Sequence, residues 1–174
     1  MARIPYADIQ TDVAHALADK IVAQRGSILH LYQMLLHSPA VAEGWLAYLT
    51  SIRQRSSLNG GLRELVIMRV AMLNSAPYEA DQHAPIALSE GVSEGKLAGL
   101  ADWPQCALFD PLERSVLAYV DVMTQQVQVA DEVFAAVAVH FTPQGLVDLT
   151  ATIAAYNMVS RFLEALQIHS HDAR

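Results

Sequence analysis

Apolar residues recur at helical spacing along almost the whole chain, and most interruptions are residues that end or start helices. Val13, Leu17, Ile21 and Val22 form one stripe, which Gly26 ends. Leu29 to Leu36 reads as a short apolar helix stopped by Ser38-Pro39, which open the next helix as N-cap and first-turn proline. Val41, Trp45, Tyr48 and Ile52 are the expected buried stripe of that helix. Asn59-Gly60-Gly61 breaks the pattern. From Leu62 to Leu73 nearly every position is apolar except Arg63, Glu64 and Arg69, the pattern of a central core helix. Asn74-Ser75-Ala76-Pro77 resets the chain, with Ser75 as the expected cap of a helix that Gly91 ends. Ser93 caps a short helix reaching Leu100, and residues 101–109 read as a loop. Asp110-Pro111, Asp131 and Thr142-Pro143 start three more helices, the last reaching about Ile168. His169 to Arg174 is a polar tail expected to fray.

No strand-like alternation, phosphate loop or short repeat interrupts this series. The expected architecture is all-α, with about eight or nine helices. A length of 174 residues suits a single domain over 1–174.

Composition sharpens this picture. The chain is 53% hydrophobic and only 17% charged, against about 45–50% and about 25% for ordinary soluble domains. Yet no apolar run reaches the ~18 residues of a membrane span, so the excess apolar surface points to self-association. The segment MARIPYADIQ has no apolar signal core, and a cytoplasmic location is expected. A single cysteine, Cys106, excludes an intramolecular disulfide and a cysteine-based zinc site. Net charge is −7 and no basic cluster exceeds Arg53-Gln54-Arg55, which argues against a nucleic-acid partner.

Candidate chemistry concentrates between Glu64 and His83. Glu79 and His83 are four residues apart and share a helix face. Glu64 lies on the preceding apolar run, so an antiparallel pair of helices brings all three groups to one end. A carboxylate and an imidazole held away from water have shifted proton affinities, which suits proton transfer near neutral pH. The plain alternatives are a solvated i, i+4 pair worth roughly 0.2–0.5 kcal/mol and a water-exposed first-turn glutamate at Glu64. Arg69 either reaches the surface or a carboxylate of the protein, or binds a substrate carboxylate bidentately. Tyr78 and Trp45 are candidate pocket residues, and Tyr156 and Asn157 are buried partners or pocket walls. Pro85 inside the second helix removes a donor and bends the axis near the candidate residues.

The stretch resembles the carboxymuconolactone decarboxylase and alkyl hydroperoxidase D-like family. The hydroperoxidase branch carries Glu, then Cys-x-x-Cys, then His. Counted from Glu64 those positions are Ala76, Glu79 and His83, so the outer residues are present and both redox cysteines are absent. The decarboxylase branch carries Glu-x-x-x-His, matched by Glu79 and His83, followed by an Ala and a Gly matched by Ala87 and Gly91. Arg63-Glu64, the apolar run and Tyr78-Glu79 complete the match. It is closest over residues 60–100 and extends more loosely on both sides. A family core at about 40–125 would then be flanked by helices at 7–37 and 130–168.

The resemblance implies a multi-helix bundle, assembly as a homotrimer or homohexamer, and a cofactor-free lyase acting on a small carboxylated or lactone substrate. His83 would be the acid–base, Glu79 its partner or second acid–base, and Glu64 the orienting carboxylate. Arg69, Tyr78 and Trp45 would contact substrate. The alternatives are a redox-inactive hydroperoxidase-like protein and an oligomeric scaffold binding a ligand, or a metal through Glu64, Glu79 and His83. Descriptions of the family attach a peroxidase label, which this chain does not fit. A thiol peroxidase needs a thiolate and a resolving thiol, and Ala76 and Glu79 supply neither. Peroxide turnover with a thiol reductant should therefore be negligible. Steady turnover that disappears in Cys106→Ser would overturn this expectation.

Overall fold

Asn59-Gly60-Gly61 is a helix start as well as a break. Asn59 Oδ1 accepts from the Leu62 backbone N–H at 3.3 Å, satisfying one of the open donors of the first turn. The computed structural model describes the backbone of residues 1–174 and all side chains except those of residues 12 and 13, so the stripe position Val13 lies outside the described residues. Its helices are α1 (Asp12–Arg25), α2 (His30–Leu35), α3 (Pro39–Gln54), α4 (Gly60–Leu73), α5 (Pro77–Ser89), α6 (Glu94–Gly99), α7 (Pro111–Gln125), α8 (Asp131–Ala138) and α9 (Pro143–Leu166), with a 3-10 turn at Leu100–Asp102. Among the described residues there is no strand, as the helical periodicity predicts. None of the helices is long and apolar enough to cross a membrane.

The chain groups into two compact units, Ser56–Phe162 and Met1–Arg55 with Leu163–Arg174. In the first, α4 packs against α5 and α7. Leu65, Ala87, Val92, Leu100, Phe109 and Leu117 form a buried cluster, with Met68, Leu97, Trp103 and Cys106 packed on it. Asp110 and Glu113 form a reciprocal capping box at the start of α7, and Ser93 caps α6 through the Lys96 N–H.

The α4–α5 turn departs from the expected one. Ser75 does not cap α5; the N-cap position is Ala76, with no side-chain cap bond. Ser75 instead adopts φ 52°, and Ser75 N–H and Ala76 N–H donate to the carbonyls of Met72 and Ala71. That pattern closes the C-terminus of α4 as a Schellman motif. The orphan carbonyls of one helix thus took precedence over the orphan amides of the next. Gly91, at φ 89°, ends α5 in the same way, with Val92 N–H donating to Ala87 O at 2.9 Å.

In the second unit, α3 packs against α1 and α2. Its buried face is Ala42, Leu46, Leu49, Thr50 and Ile52. The expected stripe is corrected: Val41 and Tyr48 are 51% and 42% exposed and only Ile52 is buried. Apolar residues cover two adjacent faces of α3, and packing selects the one on which small Ala42 is fully buried. Val22 likewise lies outside the buried face of α1, which is Ala14, Leu17, Ala18 and Ile21.

The tail is docked, not frayed. Gln167 turns the chain at φ 53° and Ile168 is fully buried. Asp172 Oδ2 accepts from Tyr6 OH at 2.8 Å and from His169 N–H at 3.0 Å. These bonds hold a polar segment that local composition marks as mobile.

Arg69 ties α4 to α7 and to the 3-10 turn. Its Nε and Nη2 donate to Asp121 Oδ1 and Oδ2 at 2.7 and 2.8 Å, and its Nη1 donates to Leu100 O at 2.8 Å. Trp103 Nε1 also donates to Asp121 Oδ2 at 3.0 Å. Arg69→Met should strand this carboxylate and lower stability by about 3 kcal/mol, read as a lower urea midpoint. An unchanged midpoint would show that the pair contributes nothing.

Candidate active site

Glu64 is the fifth residue of α4 and has no exposed surface. The water-exposed first-turn reading is therefore corrected. α4 is buried on most of its faces, so even its polar positions point into protein. Both carboxylate oxygens are held: Oε1 accepts from Arg63 Nε at 3.1 Å, and Oε2 accepts from His83 Nδ1 at 2.7 Å. Arg63 is also buried, and its Nη2 donates to Glu90 Oε1 at 3.3 Å. The polar chain His83, Glu64, Arg63, Glu90 therefore runs from the interior to a half-exposed surface carboxylate.

His83 reaches Glu64 because α4 and α5 are neighbours and His83 shares the inward face of α5 with Glu79 and Ala87. The i, i+4 spacing selects this face, and Tyr78 is buried beside it. Pro85 lies on the exposed side of the same helix. The third wall is α9. Tyr156 meets the His83 ring edge-on, with centroids 5.0 Å apart and an interplanar angle of 89°. One turn later, Ser160 Oγ is 2.9 Å from Glu79 Oε2 and also 2.9 Å from its own Tyr156 carbonyl. The hydroxyl has one proton and two acceptors in reach, so it can donate to either, or pass on a proton received from Glu79.

Tyr156 is thus a buried partner, one of its two expected roles. Ser160 is missed by sequence reasoning, because one serine in a long apolar helix is unremarkable. Its one signal is the i, i+4 spacing from Tyr156. Asn157 faces a different way, binding Asn74 and Thr124 at 3.0 Å each.

The electrostatics of Glu64 follow from these contacts. Burial by itself pushes its carboxyl upward, but the hydrogen bond and charge of His83, with the charge and hydrogen bond of Arg63, hold it below the ordinary glutamate value. An ionised Glu64 accepts at Nδ1–H of His83, so in the neutral ring the lone pair sits on Nε2. That is the orientation in which a carboxylate-backed imidazole exchanges protons through Nε2.

Arg69 falls outside this group. The carboxylate in its fork is Asp121, the pairing within the protein that was one of its expected roles. Trp45 is half-buried on α3, in the Met1–Arg55 unit. Glu64, Glu79 and His83 are all buried. Their apolar neighbours on α4, Val66 and Val70, are fully buried. Among the described residues no set of three or more His, Cys, Asp or Glu side chains is arranged to hold a metal ion.

The depressed Glu64 carboxyl has a signed consequence for stability. Its contribution is fully present above the ordinary value of 4.5 and is lost as pH falls through the lower folded value. Glu64→Gln should remove that acid limb, so the difference in melting temperature between wild type and variant should shrink as pH drops below 4.5. A difference that stays constant with pH would contradict the ion pair.

Residues 39–122 match the carboxymuconolactone decarboxylase family. The uncharacterised protein YnjA of Escherichia coli is 32% identical over 126 residues, covering 72% of this chain and 66% of that one. The chain therefore spans just under two thirds of that relative's length. An uncharacterised peroxidase-related protein of Ralstonia eutropha, described as an alkylhydroperoxidase AhpD core, superposes with a TM-score of 0.82 at 17% identity, over 98% of this chain and 93% of its own. The debrominase Bmp8 with 2,3,4-tribromopyrrole superposes with a TM-score of 0.81 at 15% identity, over 98% and 95%. At these identities the superpositions establish the fold. Sequence motif and family match agree, and the chain belongs to the carboxymuconolactone decarboxylase family through residues 39–122, on a fold shared with alkylhydroperoxidase AhpD-core proteins.

Proposed function

We propose that this chain is a cofactor-free acid–base enzyme of the decarboxylase type, acting on a small carboxylated or lactone substrate as a homo-oligomer. The observation that carries the reading is the 2.7 Å hydrogen bond between His83 Nδ1 and a Glu64 carboxylate with no exposed surface. Loss of CO₂ leaves an electron pair on carbon, and turnover requires a proton delivered there. His83 is 6% exposed, against 2% for Glu79 and none for Glu64, so proton delivery is assigned to His83. Glu64 fixes the tautomer and balances the charge of the protonated ring. Glu79, steadied by Ser160, is the second proton-holding group. The single cysteine leaves no dithiol for peroxide reduction.

Burial favours one competing reading. A carboxylate, imidazole and guanidinium sealed in a core also act as a pin between helices, and the group would then be structural on a binding scaffold. His83→Asn separates the two. On the enzymatic reading it lowers CO₂ release from carboxylated lactones by about 10²–10⁴-fold, with the circular dichroism spectrum and oligomer mass unchanged. Full activity in His83→Asn would overturn the assignment. Loss of fold without measurable turnover in the wild type would favour the scaffold.

A further inference from the structure

Arg63 has no part in the reading above, yet it holds one of the two Glu64 oxygens. Its Nε donates to Glu64 Oε1 at 3.1 Å while its Nη2 donates to Glu90 Oε1 at 3.3 Å. The two carboxylates differ in environment: the Glu64 side chain has no exposure and that of Glu90 is 42% exposed. Glu90 is itself held in place. A Cβ on Gly60 would collide with its carboxylate and one on Gly61 would lie 3.1 Å from its carbonyl oxygen, so the two glycines leave room for Glu90 against the first turn of α4.

We propose that Arg63 is a positioning residue of this site: shared between buried Glu64 and surface Glu90, it fixes the carboxylate that orients His83 and sets how much negative charge that carboxylate presents to the ring. The inference rests on reading His83 as the acid–base group. Arg63 Nε on Oε1 and His83 Nδ1 on Oε2 leave the Glu64 carboxylate little rotational freedom, so the plane of the imidazole is fixed with it. A guanidinium on one oxygen also draws charge from the other and repels a protonated ring. Both effects lower the affinity of His83 for a proton. Glu90 opposes them, because its carboxylate partly neutralises Arg63.

The remaining groups around the ring do not mimic this arrangement. From α5 the titratable neighbour is Glu79, bonded to Ser160. From α9 it is Tyr156, whose ring meets His83 edge-on. The α7 carboxylates Glu113 and Asp121 are each paired with their own cation, Lys96 and Arg69. Only Arg63 joins the Glu64 carboxylate to a surface charge among the described ion pairs.

The arrangement predicts opposite signs for two substitutions. Arg63→Met should raise the titration midpoint of His83 by about one unit, and Arg63→Lys should restore part of the shift. Glu90→Gln should lower the midpoint by a smaller amount, because Glu90 is exposed and its charge is screened. The measurement is an NMR pH titration of the imidazole signals of the full chain, with His83 assigned by its absence in His83→Asn. A merely structural role would move both variants the same way, towards an ordinary imidazole. An unchanged midpoint in Glu90→Gln, or shifts of the same sign, would overturn the proposal. Glu90→Gln replaces a half-exposed side chain by one of the same shape, so it decides the matter even where Arg63→Met fails to fold. The titration needs no turnover, so its outcome is separate from that of the His83→Asn activity test.

Discussion

An ionised carboxylate without water or partners inside a protein costs several kcal/mol, and Glu64 sits in such a place. Its ionisation is tolerable because two cationic or protonatable groups reach it from different directions. Arg63 comes from the same helix and His83 from the next. The packing of α4 against α5 therefore does more than bury apolar surface. It brings the imidazole to the carboxylate, and a slip of one residue in α5 would turn His83 to another face. Much of the local construction serves that register, including the Schellman turn at Ser75 and the inward row of Glu79, His83 and Ala87.

A second buried guanidinium on the same helix does a different job. Arg69 meets Asp121 and Leu100 O, joining α4 to α7 and the 3-10 turn. The two arginines lie six residues apart on a helix that is otherwise almost wholly apolar. One is paired bidentately with a single carboxylate and the other is divided between two. A guanidinium with a single carboxylate partner is a structural fastening. A fork divided between a buried and a surface carboxylate transmits charge.

The two carboxylates near His83 also stand in unlike surroundings. Glu64 is held by a guanidinium and an imidazole, while Glu79 Oε2 is bonded to the neutral hydroxyl of Ser160. Unlike environments of this kind let two chemically identical groups take different protonation states, which is how acid and base roles are divided in many sites. The edge-on ring of Tyr156 completes the enclosure without adding charge. This division is the physical basis for proposing acid–base chemistry here without thiols.

By itself the sequence determined much of the local structure. The 3.6-residue periodicity and the residues that start and stop helices placed nearly every helix, because both depend on near neighbours. The same periodicity put Glu79 and His83 on one face, and the spacing from Glu64 marked the group. Other features depended on pairings between distant residues, and only the tertiary structure decided them. Nothing local distinguishes a first-turn glutamate in water from Glu64 bonded to a histidine 19 residues away. Nothing local chooses Asp121 over a substrate as the partner of Arg69, 52 residues on. The same holds for Ser160, for the buried face of α3, which carries apolar residues on two sides, and for a polar tail held by Tyr6. A helix repeats a local rule, whereas a buried charge or a packed face is defined by whatever the rest of the chain brings to it.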